Sequence, residues 1–219
     1  MKYAASYASI GVLAIITAFT IQVSAEKGNP LPAAPIKVNT AVARKAATYH
    51  VDVQHSQLTW TGHKVTGQHS GNIAVSKGDF NVENNKVKSG SFQLDTRSIT
   101  VTDITDKDGN SKLLGHLKGD DFFAVEKYPS AAFVTTSITP GSGNSYDVKG
   151  KLTIKGITQD ISFPATITVD NNQLVAKANI KVDRTKYDIK FHSKRFFDNL
   201  GDKVIYDDFD LDITLVAKP

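Results

Sequence analysis

The sequence predicts an all-β protein of about eight antiparallel strands closed into a barrel, with a short helical cap. Three observations predict it. Apolar and polar residues alternate over stretches of about ten residues, turn residues separate those stretches, and one central segment breaks the alternation with a helical rhythm.

The alternation is clearest in the second half. In "YDVKGKLTIK", Tyr146, Val148, Leu152 and Ile154 share one parity, and Asp147, Lys149, Lys151, Thr153 and Lys155 the other. Successive side chains of a strand point to opposite faces, so one face is apolar and the other wet. "ISFPATITVD" repeats this with Ile161, Phe163, Ala165, Ile167 and Val169 inward, although Pro164 predicts an edge or a bulge because proline donates nothing to a ladder. Leu174, Ala176, Ala178, Ile180 and Val182 form the next inward set, and Phe209, Leu211, Ile213, Leu215 and Ala217 the last.

Earlier strands are expected at Gln57 to His63, Gly71 to Val82, Lys86 to Asp95 and Ala132 to Thr139, with turns at "ENN", "PGSGN" and "VDNNQ". A sandwich competes with the barrel, since alternation fits both. Strands of about ten residues, roughly 30 Å long, favour a barrel with an elongated interior. The small inward residues Gly150, Ala165, Ala176 and Ala178 are expected to leave part of that interior unfilled.

The segment Ile99 to Lys118 does not alternate, and Leu113, Leu114 and Leu117 have helical spacing, which predicts a short helix across one barrel end. "DDFF" follows as a turn that folds Phe122 and Phe123 back over apolar surface, and Pro129 ends the excursion. Such a cap either shapes a ligand mouth or simply plugs an open end.

Ahead of the strands, Lys2 precedes the apolar run "ASIGVLAIITAFTI" and then Ser24 and Ala25, the layout of a signal peptide at 1–25 cleaved after Ala25. The run is short for a bilayer span, so no stable membrane anchor is expected, and the mature protein is expected in the periplasm or outside the cell. Residues 26–48, with Pro30, Pro32 and Pro35, read as a linker, and 49–219 as the folded domain. The chain has no cysteine, which rules out disulfides, thiol catalysis and cysteine-zinc sites. Its net charge of +4 is spread along the strands, so no nucleic-acid partner is expected.

At this point the residues resemble a family. "LTWTGHKVTGQHSGNIAV", "GHLKGDDFFAVEKYPSAAF", "YDVKGKLTIKGITQDISFP" and the Arg184, Tyr187 pair are similar to the YceI-like family from about Tyr49 to the C-terminus. The resemblance implies a lipocalin-like antiparallel eight-stranded barrel, exported to the bacterial periplasm, that binds a polyisoprenoid or similar long-chain amphiphile. Gly119 and Ala124 depart from the family habit of a polar residue and an Asp.

The residues expected to hold such a ligand are Trp60, Phe80, Phe92, Phe122, Phe123, Phe133, Leu152, Ile154 and Phe163 as walls, with His116 and Arg184 near a polar head. Arg184 shares the parity of Ile180 and Val182, so its charge points inward and needs a partner. That partner is either an anionic head or one of Asp95, Asp120 and Asp121. The six histidines show no HExxH spacing, and His63, His69 and His116 read as surface or hydrogen-bonding residues rather than metal ligands. "DKDGNS" misplaces the glycine of a calcium loop, and Leu117 stands where the bidentate Glu belongs. No catalytic constellation and no cofactor are expected, and the partner is a long-chain isoprenoid or fatty amphiphile. A packed barrel that contacts another envelope protein is the alternative, an enzyme acting on such a lipid a weaker one, and exposed edges leave a homodimer open.

Overall fold

The computed structural model describes residues 46–170 and 172–219. The leader at 1–25 and most of the linker lie outside the described residues. The linker's last three residues are already in a strand, because β1 runs Ala46–Val51 with Tyr49 buried on the core side.

Ten strand segments follow the expected order: β1, β2 (Gln57–Lys64), β3 (Gly67–Asn72), β4 (Ala74–Glu83), β5 (Lys86–Asp95), β6 (Ser130–Pro140), β7 (Ser145–Ile154), β8 (Ile157–Val169), β9 (Leu174–Asp183) and β10 (Ile205–Lys218). The single strand expected at Gly71 to Val82 is two, broken at Ile73. Its first part, β3, forms a hairpin with β2, pairing Trp60 with Gly71.

Strands β1 and β4 to β10 close an eight-stranded antiparallel barrel. The closing strand, β10, pairs with β9 on one side and with β2 and then β1 on the other, ending at His50 opposite Lys218. The far edge of β3 is covered by an extended segment in which Thr100 and Thr102 donate to Asn72 and Ser70. Covering the edge this way removes a site for unwanted strand pairing.

The expected helix is α1, Lys107–Lys118, with the Asp106 carboxylate accepting from the Gly109 amide at 2.7 Å as its N-cap. Leu117 is its buried contact, and Leu113 and Leu114 pack partly against the same core. The chain then turns through "DDFF", burying Phe122 and Val125 and re-entering the sheet at Ser130.

The interior holds two apolar clusters. One lies under α1 around Trp60, Leu117, Phe122, Tyr187 and Ile189. The other lies at the far end, where Leu174 and Ala217 are fully buried beside Tyr49 and Val87. Gly150 leaves no void, contrary to expectation. The Phe133 ring occupies its space, and a Cβ there would also come within 2.6 Å of the Val134 carbonyl.

Two predictions follow from this packing. A Cβ at Gly71 would collide with the Thr100 carbonyl and stand 2.9 Å from the Trp60 ring. The carbonyl belongs to the segment that covers the far edge of β3, and the ring to β2, its hairpin partner. Gly71→Ala is therefore expected to lose about 1–3 kcal/mol in urea unfolding, from overpacking. Tyr187 is buried, its hydroxyl has no hydrogen-bond partner among the described residues, and burial, with Asp183 nearby, raises its pKa to about 12. The unfolded tyrosine ionises near pH 10. Its contribution is therefore complete below about pH 10 and lost as pH rises toward 12. Tyr187→Phe is expected to equal or exceed the wild type in stability at pH 7 and to decline less between pH 10 and 12, as thermal melts at each pH will read.

Candidate functional site

Two cavities follow one another along the barrel interior. The deeper, about 100 Å³, is walled by Phe80, Phe92, Phe133, Leu152 and Phe163, and no polar atom faces its space. The second, also about 100 Å³, lies under the cap and is walled by Trp60, Phe122, Phe123, Leu152, Ile154 and Arg184. Leu94, Leu152 and Leu211 line both, so these three leucines form the waist between them. An apolar void of this size stays dry, since a water inside would find no partners.

Local sequence explains the aromatic walls. Phe92 lies against Gly78 and Gly90, whose missing side chains leave room for its ring. Phe80, Phe92, Phe133 and Phe163 then run across β4, β5, β6 and β8 in a chain of ring contacts 4.8 to 6.4 Å apart. These rings are rigid and carbon-faced, so they present a shaped apolar surface. Trp60 keeps its indole N–H off that surface by donating to the Thr100 carbonyl at 3.1 Å.

Ten of the eleven residues expected from sequence therefore line one cavity or the other. His116 lines neither. It sits on the outer side of the cap, 2.8 Å from the Asp121 carboxylate and stacked 5.6 Å from the Phe191 ring.

Arg184 points inward as its parity requires, but its partners differ from both expected kinds. It donates to the carbonyls of Ile189 (2.8 Å), Ile205 (3.0 Å) and Tyr206 (3.0 Å), and Asp207 lies 3.8 Å away; Asp95, Asp120 and Asp121 are not partners. It begins a 3₁₀ turn, Arg184–Tyr187, that folds the following loop over the barrel end. Burial lowers its pKa while Asp207 and Asp183 oppose the shift, and the guanidinium stays charged. Three carbonyls from one loop and the start of β10 thus converge on one cation. That pins the barrel end and leaves few donors for a ligand. Sequence parity found the inward charge; only the fold of the 184–206 loop shows which carbonyls meet it.

The remaining candidates separate. His63 pairs with Asp210 at 2.8 Å and His69 with Asp103 at 2.9 Å. Among the described residues no group of three or more His, Cys, Asp or Glu is placed to hold a metal. Ala124 adopts a left-handed backbone (φ 46°), which Asp and Asn enter more readily than Ala.

Comparison with known proteins agrees with this architecture. The family model for a YceI-like domain matches residues 49–217. A UPF0312 protein of Pseudomonas putida is 29% identical over 125 residues, covering 55% of this chain and 62% of that protein. One of Vibrio parahaemolyticus is 31% identical over 130 residues, covering 55% and 63%. The chain thus spans less than two thirds of these relatives' lengths. Among solved structures, BcnA of Burkholderia cenocepacia superposes with a TM-score of 0.62 at 24% identity, covering 77% of this chain and 99% of that one. A polyisoprenoid binding domain from Saccharophagus degradans superposes with a TM-score of 0.58 at 14% identity, covering 80% and 99%. These likenesses carry the fold, and the family model spans nearly all of the barrel; this chain belongs to the YceI-like family.

Proposed function

We propose that this protein is an exported, non-catalytic binding protein that holds a long-chain isoprenoid or similar amphiphilic lipid inside its barrel. The observation that carries the reading is the wall chemistry. Two successive cavities, parted by the leucine waist, present carbon almost throughout, and their end-to-end order suits a linear apolar chain better than a compact ligand. Burying such a chain contributes about 25 cal/mol per Å² of apolar area before ordering costs. The named ligand class of the Saccharophagus degradans domain, which shares the fold, points the same way. The signal-peptide layout of residues 1–25 supports binding in the periplasm or outside the cell.

Native mass spectrometry of the full-length gene product, secreted and purified without detergent, tests the reading. A mature chain starting at Glu26 with a stoichiometric hydrophobic adduct is expected, and solvent extraction then identifies the chain. A clean apo mass, with no uptake of added geranylgeraniol or palmitate, overturns it in favour of a packed barrel that contacts a protein partner. The leucine waist makes a second test. Leu152→Ala is expected to join the two cavities and shift the retained lipids toward longer or bulkier chains, at about 2–5 kcal/mol of stability. An unchanged lipid profile in a folded variant removes the waist from any role in selection.

A further inference from the structure

The wall of the barrel is incomplete between β8 and β9. Their ladder holds only from Ala165 opposite Ala178 to Val169 opposite Leu174. Residues 157–164 of β8 pair with β7 alone, and residues 179–183 of β9 pair with β10 alone. The break falls at Pro164. Ile167 donates toward the β7 side, to Asn144, so by alternation residue 164 faces β9, where proline has no hydrogen to give.

Burial changes at the same residue. All five inward positions of β7, from Tyr146 to Ile154, are buried. On β8, Ala165 and Ile167 are buried, but Ile157, Gln159, Ile161 and Phe163 are only half-buried. Neither composition nor parity distinguishes Ile161 and Phe163 from their buried neighbours. What differs is the missing β9 wall beside them.

The slot is bounded at one end by the Ala165–Ala178 rung. At the other, Gln159 Nε2 donates to the Lys186 carbonyl (3.2 Å) and Lys155 Nζ to that of Asp188 (3.3 Å). Between Ala165 and Gln159 it runs about 20 Å along β8. On the inside, Ile161, Phe163 and Ala178 line the deep cavity. On the outside, a surface groove runs past Pro164, Thr166, Asn179 and Asp212, and it shares Ala165, Lys177, Ala178 and Ile213 with the cavity within. Those shared residues stand between groove and cavity at the closed end of the slot, around the Ala165–Ala178 rung. Both barrel ends are obstructed, one by α1 and the Arg184 loop, the other by fully buried Leu174 and Ala217.

We propose that the apolar chain enters and leaves the barrel sideways, through the β8–β9 slot, with its polar end remaining in the groove outside. This rests on the lipid-holding reading and adds the route to it. Sideways entry leaves α1 and the Arg184 loop in place and requires only that two already unpaired strand segments part. Pro164 keeps them from zipping together.

The chain has no cysteine, so an engineered disulfide is unambiguous. Pro164→Cys with Asn179→Cys bridges the first open rung. Uptake of dansyl-labelled geranylgeraniol from phosphatidylcholine vesicles is followed by energy transfer from Trp60, the single tryptophan. Oxidation, verified by the loss of two hydrogens in the mass, is expected to slow uptake about tenfold, with reduction restoring it and the final extent unchanged. A control disulfide at Asn81 and Ser89, paired across β4 and β5, is expected to leave the rate alone. Pro164→Thr, which supplies the missing donor without a crosslink, is expected to slow uptake in the same direction. Equal rates in the oxidised and reduced lock, equal slowing by the control, or an unslowed Pro164→Thr protein each overturn the sideways route while lipid holding stands. A wild-type protein that takes up no probe overturns both.

Discussion

Everything in this protein depends on β10 closing the ring. It is the longest described strand, and it must satisfy two neighbours on one side in succession, first β2 and then β1, while β9 pairs with Asp208 to Ala217 on the other. Without that double pairing the apolar faces of the remaining strands would bound an open sheet, with edges and an interior exposed to water. Closure turns the same faces inward around a common lumen. The register shift between Ile205 and Phe209 lets β10 bend into this role and coincides with the place where Arg184 grips the Ile205 and Tyr206 carbonyls.

The two ends of that lumen are built differently. At the end near β1, Leu174 and Ala217 are fully buried beside Tyr49 and Val87, and they close this end of the barrel. At the end near α1, the opening is covered by a helix, an aromatic turn and a loop held to one buried cation. A charge with three backbone acceptors is a specific fastening but not a cheap one, since a buried guanidinium must recover its lost hydration from those carbonyls. The space between these two ends remains unfilled because the aromatic walls are rigid. Phe80, Phe92, Phe133 and Phe163 rest on one another and on glycines, and they do not collapse inward.

Much of this was legible in the sequence because strands advertise themselves. The inward sets of β7, β9 and β10 follow directly from parity, the cap from the spacing of Leu113, Leu114 and Leu117, and the inward direction of Arg184 from its place after Ile180 and Val182. The misses share a cause. The strand at Ala46–Val51 has too few residues of clear parity to be told from the proline-containing segment before it, and β3, "GQHSGN", carries no apolar face at all. Such strands form because a partner's free backbone is available, and that information lies elsewhere in the chain. His116 illustrates the same limit: a helical position next to a cavity lining residue gives no sign of which side the ring takes.

The sequence by itself determined the all-β class, the order and length of most strands, the face each one buries and the presence of a cap. These are local properties, set by a side-chain period of two and by turn chemistry. Only the tertiary structure decided that Phe133 fills the space at Gly150, that three backbone carbonyls answer Arg184, that three leucines divide the lumen, and that the wall stops at Pro164. Each of these depends on which residues far apart in the chain become neighbours, and that is fixed by ring closure and register, which no single strand encodes.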